Sequence, residues 1–336
     1  MEKTPTIKDK YRPTTGLVLG KFAPFHKGHQ YLVEQARQEC DEVFVMIYNC
    51  PDTIDVPLDV RAAWIRHLYP DVRVIEAWDG PSESGHSNRI KKLQENYVKR
   101  ILPKPITHFF SSEWYGEHMS QALNAVNVVV DQERQTVPIS GTKVRTNPHQ
   151  ERQFMDNQVY KEFVQRVVFL GAESTGKSTL ARTLAKEFQT NWVHEYGREY
   201  WEKNKDEQGK ISLEQLVEVA RVHRQREDEQ LVGAEQYLFI DTNAVTTHMY
   251  SELFHGQADP DLERYARLCN ERYQYWFVCE TDIPYEDDGT RYGEKMRQAV
   301  QARIKQNLAE RGIEFVVLTG SLDQRVEQVK KVLDKK

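Results

Sequence analysis

A chain of 336 residues, 39% apolar and 29% charged, is long enough for two ordinary globular domains and too polar for a membrane-embedded bundle. Its net charge of −5 argues against a broad basic surface for nucleic acid. No apolar run approaches the length of a membrane span, so no membrane insertion is expected. Residues 1–14 are charged, contain Pro5 and Pro13, and lack the apolar core of a signal peptide; they read as a frayed tail on a cytoplasmic protein. Cys40, Cys50, Cys269 and Cys279 form no C-x-x-C pair and sit in or beside apolar segments, as buried thiols in a reducing compartment do. A homo-oligomer is compatible with all of this.

Residues 15–150 read as the first domain. Strands are expected at 16–20, 43–48, 72–78, 107–111 and 127–130, with helices near 59–68, 87–102 and 118–123 between them. Strands alternating with helices predict a parallel, doubly wound α/β sheet, with ligands beyond the carboxyl ends of its strands. The loop after the first strand runs Gly20-Lys21-Phe22-Ala23-Pro24-Phe25-His26-Lys27-Gly28-His29 into a helix. Two imidazoles beside a helix N-terminus suit a triphosphate and charge that develops at its α-phosphorus, and Gly28 allows close backbone approach. After the last strand, Ile139-Ser140-Gly141-Thr142-Lys143-Val144-Arg145 places hydroxyls and two cations at the start of another helix. Trp78 ends the third strand and Trp114 follows the fourth, where each suits either stacking on a base or simple packing.

Taken alone, each of these stretches reads more simply as surface histidines or an ordinary helix cap. Together, at opposite ends of one α/β domain, they resemble the marks of the nucleotidylyltransferase superfamily, G-x-F-x-P-x-H-x-G-H and I-S-x-T-x-[IV]-R. The resemblance implies ATP binding by Gly20, Lys21, Phe22, His26, Gly28, His29, Ser140, Thr142, Lys143 and Arg145.

Residues 151–165 are polar and read as a linker, and residues 166–336 as a second domain. Its first strand, Val167-Val168-Phe169-Leu170, leads into Gly171-Ala172-Glu173-Ser174-Thr175-Gly176-Lys177-Ser178-Thr179, a complete phosphate-binding loop. Leu180, Leu184 and Phe188 then recur at helical spacing, the context this motif requires. The motif assigns Gly171, Glu173, Ser174, Thr175, Gly176, Lys177, Ser178 and Thr179 to ATP, with Lys177 at the β- and γ-phosphates and Ser178 on Mg²⁺. Further strands are expected at 191–194, 237–240, 275–278 and 314–318, a long helix from Ser212 to about Gln230, and a closing helix from Ser321. Five strands with such a loop after the first suit a small nucleoside or nucleotide kinase. Asp241 ends the third strand, where a carboxylate holds Mg²⁺ or the acceptor's hydroxyls. Glu195 and Glu199 follow the second strand, and either can take the attacking hydroxyl's proton; Glu195 is the first choice, with Asp241 a further alternative. Tyr196 and Arg198 are candidate acceptor contacts. Residues 285–293 read as a glycine-bearing lid in which Arg291 meets the transferring phosphoryl, or else as a solvated loop.

The ordered set of motifs, from Gly20–His29 through Ile139–Arg145, Gly171–Thr179, Glu195–Glu199 and Phe239–Thr242 to Asp287–Arg291, resembles the NadR-type bifunctional nicotinamide-nucleotide adenylyltransferase and ribosylnicotinamide kinase over nearly the whole chain. The resemblance implies a Rossmann-like nucleotidylyltransferase followed by a P-loop kinase. It implies two reactions, phosphorylation of nicotinamide riboside and adenylylation of nicotinamide mononucleotide to NAD, with ATP as co-substrate and Mg²⁺ as cofactor. The catalytic set it suggests is His26, His29, Lys143 and Arg145 in one half, and Lys177, Glu195, Asp241 and Arg291 in the other. Acceptor contacts would come from Glu195, Tyr196, Arg198, Asp241, Trp78 and Trp114. Some relatives carry an N-terminal helix-turn-helix module; about fifteen residues before the first strand are too few for one, so no nucleic-acid binding is expected. The family's Asp-Thr-Asp is Asp241-Thr242-Asn243 here, which leaves the third position without an assigned role. Two other readings share these motifs: the same domains acting on another acceptor, and a non-catalytic sensor of ATP and NAD.

Overall fold

The computed structural model describes residues 12–334 apart from 82, 84, 86, 208 and 286–293. The chain divides into two units, residues 1–162 and 163–336.

In the first unit β1 (Thr15–Gly20), β2 (Glu42–Tyr48), β3 (Arg73–Ala77), β4 (His108–Ser111) and β5 (Val126–Val129) form one sheet in the order β3-β2-β1-β4-β5. Every pairing is parallel. The apolar runs Gly16-Leu17-Val18-Leu19 and Val43-Phe44-Val45-Met46-Ile47 are buried on both faces, as in a sheet with helices on each side. Those helices are α1 (Lys27–Glu39), α2 (Leu58–Leu68), α3 (Asn88–Ile101) and α4 (Gly116–Leu123). Leu17, Phe44, Met46, Phe109, Val98 and Met119 make the core between sheet and helices on one side. After β1 the chain builds outward through β2 and β3, then returns to the other flank of β1 for β4. The loop after β1 therefore leaves at the point where strand order reverses.

Residues 151–162 of the polar stretch expected as a connector belong to this unit, and 163–165 to the second. After α5 (Gly141–Thr146) the stretch forms a 3₁₀ turn at Arg152–Phe154, α6 (Asn157–Tyr160) and a second 3₁₀ turn at Lys161–Phe163. Met155, Val159 and Tyr160 are buried, and Met155 pairs with His26 in an isolated β-bridge. These few apolar side chains among charged neighbours are enough to fold the segment down.

In the second unit β6 (Gln165–Leu170), β7 (Trp192–Val193), β8 (Tyr237–Asp241), β9 (Tyr275–Cys279) and β10 (Val316–Leu318) form a parallel sheet in the order β10-β9-β6-β8-β7. The helices are α7 (Lys177–Glu187), α8 (Tyr196–Asn204), α9 (Leu213–Leu231), α10 (Ala244–His255), α11 (Pro260–Arg272), α12 (Glu294–Glu310) and α13 (Leu322–Leu333). Phe169, Phe239 and Phe277 lie side by side on the three central strands and pack against Leu180 and Leu184 of α7. No helix among the described residues is long and apolar enough to cross a membrane.

Candidate functional sites

Each sheet gathers one of the two candidate phosphate sites at the carboxyl end of its central strand. In the first unit the loop after β1 is built on aromatic packing. Phe22 and Phe25 are buried, and both rings contact His29. His26 is the N-cap of α1, and the rings of His26 and His29 stack at 3.7 Å. The backbone N–H of His26 donates to His29 Nδ1 at 3.4 Å, which leaves the proton of a neutral His29 on Nε2. Burial, with the charges of Arg134 and Arg145, holds His26 down to about 4. Burial, with His26 beside it, holds His29 well below its ordinary value. Both rings are therefore neutral at pH 7. Gly28 lies against the first imidazole: a Cβ there would come within 3.0 Å of His26 Cε1 and 3.1 Å of Nδ1.

The Ile139–Arg145 stretch meets this loop. Arg145 donates through Nη1 to the carbonyl of Ala23 and through Nη2 to Thr142 Oγ1 at 3.2 Å. Ser140 caps α5, its Oγ accepting from the Lys143 backbone N–H at 3.2 Å. Lys143 pairs with Glu151 at 2.9 Å, so the residue-151 segment bears on the site as well. Lys21 reaches Thr53 Oγ1 at 3.5 Å, while Phe22 is packing rather than a surface contact, and Gly20 sits directly against its ring. Trp78 and Trp114 are 54% and 42% exposed at the ends of β3 and β4. Trp78 Nε1 donates to Glu76 at 2.9 Å, and Trp114 lies against Tyr115 and His118 with Lys91 over its ring, so both indoles are partly engaged in packing.

Two features here escaped the sequence. Arg61 of α2 is 1% exposed and donates to the carbonyls of Lys21, Tyr48 and Val56, tying the β1 loop to the end of β2. Arg134 sits in a loop held by Asp131, whose carboxylate accepts from the backbone N–H groups of Gln135, Thr136 and Val137 at 2.8, 3.0 and 2.9 Å. Those bonds hold the Asp131 carboxyl below the usual carboxylate range. An aspartate followed four residues later by a polar pair is the only trace of this turn in the sequence.

In the second unit the phosphate-binding loop links β6 to α7. Gly171 has φ +146°, and a Cβ there would lie 2.6 Å from the Cys279 carbonyl, so only glycine fits. Ser174 and Gly176 also take left-handed backbone, which turns successive N–H groups to one side. Thr175 is buried and donates to Ala172 O at 2.8 Å; Thr179 is exposed on α7. Lys177 Nζ donates to the same Ala172 carbonyl at 2.9 Å. Ser178 Oγ donates to Asp241 Oδ2, and Asp241 Oδ1 is buried without a hydrogen-bond partner. Burial, then the charge of Glu195, pushes the Asp241 carboxyl up to about 6. An orphaned carboxylate oxygen beside a hydroxyl is a hard oxygen pair that fits Mg²⁺, an ion usually held by one or two carboxylates and its substrate's phosphates. No cluster of three or more His, Cys, Asp or Glu side chains suited to a metal occurs among the described residues.

A pocket opens beside Lys177. Its lining includes Gly171, Glu173, Glu195, Arg198, His223, Thr242, Asn243 and Thr246, together with the aromatic side chains of Trp201, Tyr250, Phe254 and His255. The two candidate bases separate here. Glu195 lines the pocket and raises Asp241's carboxyl, whereas Glu199 is paired with Lys203 at 3.1 Å and Arg226 at 3.0 Å. Tyr196 turns the same way as Glu199: Arg226 lies 4.2 Å over its ring, and it is not among the lining residues. Asn243 caps α10, its side chain accepting from Val245 N at 3.0 Å, while its Nδ2 is buried without a partner. Thr242 carries φ +67°, unusual for a β-branched residue, and its carbonyl meets His223 Nε2 at 3.2 Å. Arg291 and residues 286–293 lie outside the described residues. The aromatic wall escaped the sequence because Trp201, Tyr250 and Phe254 sit on α8 and α10, where such side chains look like ordinary core.

Known proteins account for both halves. Residues 17–147 match the family described as cytidylyltransferase-like, and residues 166–325 match an AAA domain. The crystal structure of NadR protein in complex with NAD and AMP-PNP shares this fold, with a TM-score of 0.75 at 22% identity over 96% of each chain. NadR protein in complex with NR gives 0.73 at 21% identity, over 96% of this chain and 95% of that one. The trifunctional NAD biosynthesis/regulator protein NadR of Escherichia coli K12 is 30% identical over 331 residues, 91% of this chain and 79% of that protein. Its Salmonella typhimurium LT2 counterpart is 30% identical over 90% of this chain and 78% of its own length. A glycine-rich phosphate loop beside an aromatic-walled pocket, a paired-histidine loop on a second parallel sheet, and this identity across both halves place the chain in the NadR family.

Proposed function

We propose that the protein makes NAD in two ATP-dependent steps, one in each unit. The second unit transfers the γ-phosphoryl of ATP to a hydroxyl of nicotinamide riboside, giving nicotinamide mononucleotide and ADP. The first unit joins that product to the AMP part of a second ATP, giving NAD and pyrophosphate. The observation that carries the reading is Glu195, which lines the pocket beside Lys177 and is near enough to the buried Asp241 to raise its carboxyl. A hydroxyl acceptor must lose a proton, and a carboxylate that lines the same pocket as Lys177 can take it.

In the kinase half, the loop's N–H groups and Lys177 hold the β- and γ-phosphates. Asp241 and Ser178 would hold Mg²⁺, which neutralises phosphate charge when bound. Glu195 takes the hydroxyl proton. Trp201, Tyr250 and Phe254 offer aromatic faces to a flat, positively charged nicotinamide ring, and Arg198, Asn243 and Thr246 supply polar contacts.

In the adenylyltransferase half, the mononucleotide phosphate is itself the nucleophile, so no base is required. It attacks the α-phosphorus, the new P–O bond forms as the bond to the β-phosphate oxygen breaks, and pyrophosphate leaves. His26 and His29 act there as neutral N–H donors, not as cations. Positive charge comes from Lys143 and Arg145, with Arg134 near His26, and Trp78 and Trp114 are the proposed contacts for the bases. Positioning and charge stabilisation carry the step.

The test incubates the full chain with nicotinamide riboside, ATP and Mg²⁺ and follows mononucleotide and NAD separately. Lys177→Ala is expected to stop mononucleotide formation while NAD synthesis from supplied mononucleotide continues. His29→Ala is expected to do the reverse. Loss of both activities from either substitution in a folded protein would refute the division of labour. Turnover with other nucleosides but not nicotinamide riboside would move the reading to another acceptor.

A further inference from the structure

The outer face of the phosphate loop is held by two buried arginines from distant parts of the chain. Arg297 of α12 is 4% exposed and donates to the carbonyls of Glu173 at 3.2 Å and Ser174 at 3.1 Å. Its guanidinium also donates to the Ile283 carbonyl at 3.0 Å. Arg325 of α13 is 3% exposed and donates to the Thr175 carbonyl at 2.6 Å. It donates further to the Glu280 carbonyl at 3.1 Å, to Gly320 O at 3.0 Å and to the Asp282 carboxylate. Three consecutive carbonyls of the loop, 173 to 175, are thus fixed from outside, and both guanidinium groups anchor on the segment that leaves β9.

A peptide unit points its N–H opposite its C=O. Fixing carbonyls 173 to 175 on the outer face turns the N–H groups of residues 174 to 176 toward the inner, phosphate-facing side. The loop needs this help because Ser174 is a non-glycine residue with φ +56°, a conformation it holds only when its surroundings impose it. A lysine could supply charge at either position but not the forked donors that span two carbonyls and a second segment.

We infer that Arg297 and Arg325 are positioning residues for ATP: without touching the nucleotide, they set the amide cradle that binds its phosphates. This rests on the reading of the second unit as the kinase, but its test does not need acceptor turnover.

The experiment follows backbone hydrogen exchange at residues 173–178 of the full chain while AMP-PNP is titrated, which reports nucleotide binding at this loop and not at the other ATP site. In Arg325→Lys and Arg297→Lys, loop amides are expected to exchange at least tenfold faster and half-protection to require at least tenfold more AMP-PNP. Far-ultraviolet circular dichroism and adenylylation of supplied mononucleotide should stay near wild type. Asp282→Asn, a partly exposed change that removes one anchor of Arg325, should give a smaller shift in the same direction and covers the case in which an arginine variant does not fold. Unchanged loop exchange and AMP-PNP response in the folded variants would overturn the inference. Absence of nicotinamide riboside phosphorylation by wild type would instead count against the kinase reading, with the titration still deciding the role of the arginines.

Discussion

His26 and His29 carry little charge at neutral pH, and the reason is local. Burial penalises the imidazolium, and Arg134 and Arg145 beside His26 add to that penalty. The sign follows directly. The unfolded chain binds protons at both rings as pH falls through about 6.5, whereas His26 resists until about 4, so acidification across that window removes stability. The kinetic counterpart is a missing limb. A pH profile of kcat/KM for NAD synthesis from mononucleotide should show no enzyme histidine titrating near 6.5; a rise or fall of that origin, abolished by His26→Gln, would mean the ring is charged. A second prediction concerns the two glutamates. Glu195→Gln should lower mononucleotide formation by about a hundredfold or more, the usual contribution of a general base. Glu199→Gln, which removes only partly exposed ion pairs, should change it by less than about threefold. Steady-state rates at saturating ATP distinguish them. Sequence named both glutamates and put Glu195 first; its ground was thin, because the choice depends on which one faces the pocket when α8 begins at Tyr196.

At the scale of elements, the ten strands were legible to within a residue or two, because β-branched and aromatic runs bounded by polar turns have few other readings. The phosphate loop and the two marks of the first unit were legible for a different reason: their glycines and charged residues have fixed spacings imposed by ligand geometry. Gly28 shows how tight that geometry is. Gly28→Ala would drive a methyl against His26, and since about 1 Å of misplacement can cost on the order of a hundredfold, NAD synthesis should fall ten- to a hundredfold with mononucleotide formation intact. A two-product assay on the variant checks this, and equal loss of both products would point to general damage. What was not legible lies on helices and loops whose function emerges only in three dimensions. Arg61, Arg134, Arg297 and Arg325 are isolated arginines in sequence, and each acquires meaning from the carbonyl or imidazole that the fold brings to it. The burial of the segment from residue 151, expected as a linker, was not legible for a related reason: Met155, Val159 and Tyr160 are buried but too few to show a period.

For the molecule as a whole, two parallel sheets place their phosphate sites by one rule, at the loop that leaves a central strand, but use different chemistry there. In the proposed reading, one site offers the nucleotide amide N–H groups and a lysine and offers carboxylates to an alcohol. The other offers neutral imidazoles and cations to a phosphate and needs no carboxylate. That contrast supports giving one reaction to each unit.

The bonds that Lys177, Ser178, Lys143 and Arg145 make to Ala172, Asp241, Glu151 and Ala23 have a further meaning. Each group is held by a partner within the protein, so it is in position before a nucleotide arrives, and the lysines and arginine keep further N–H donors for an anion. A triphosphate engages several such groups at once, whereas inorganic phosphate meets one or two. In the proposed reading both sites therefore favour polyphosphates, and the concentration of inorganic phosphate needed to inhibit each of the two reactions checks it.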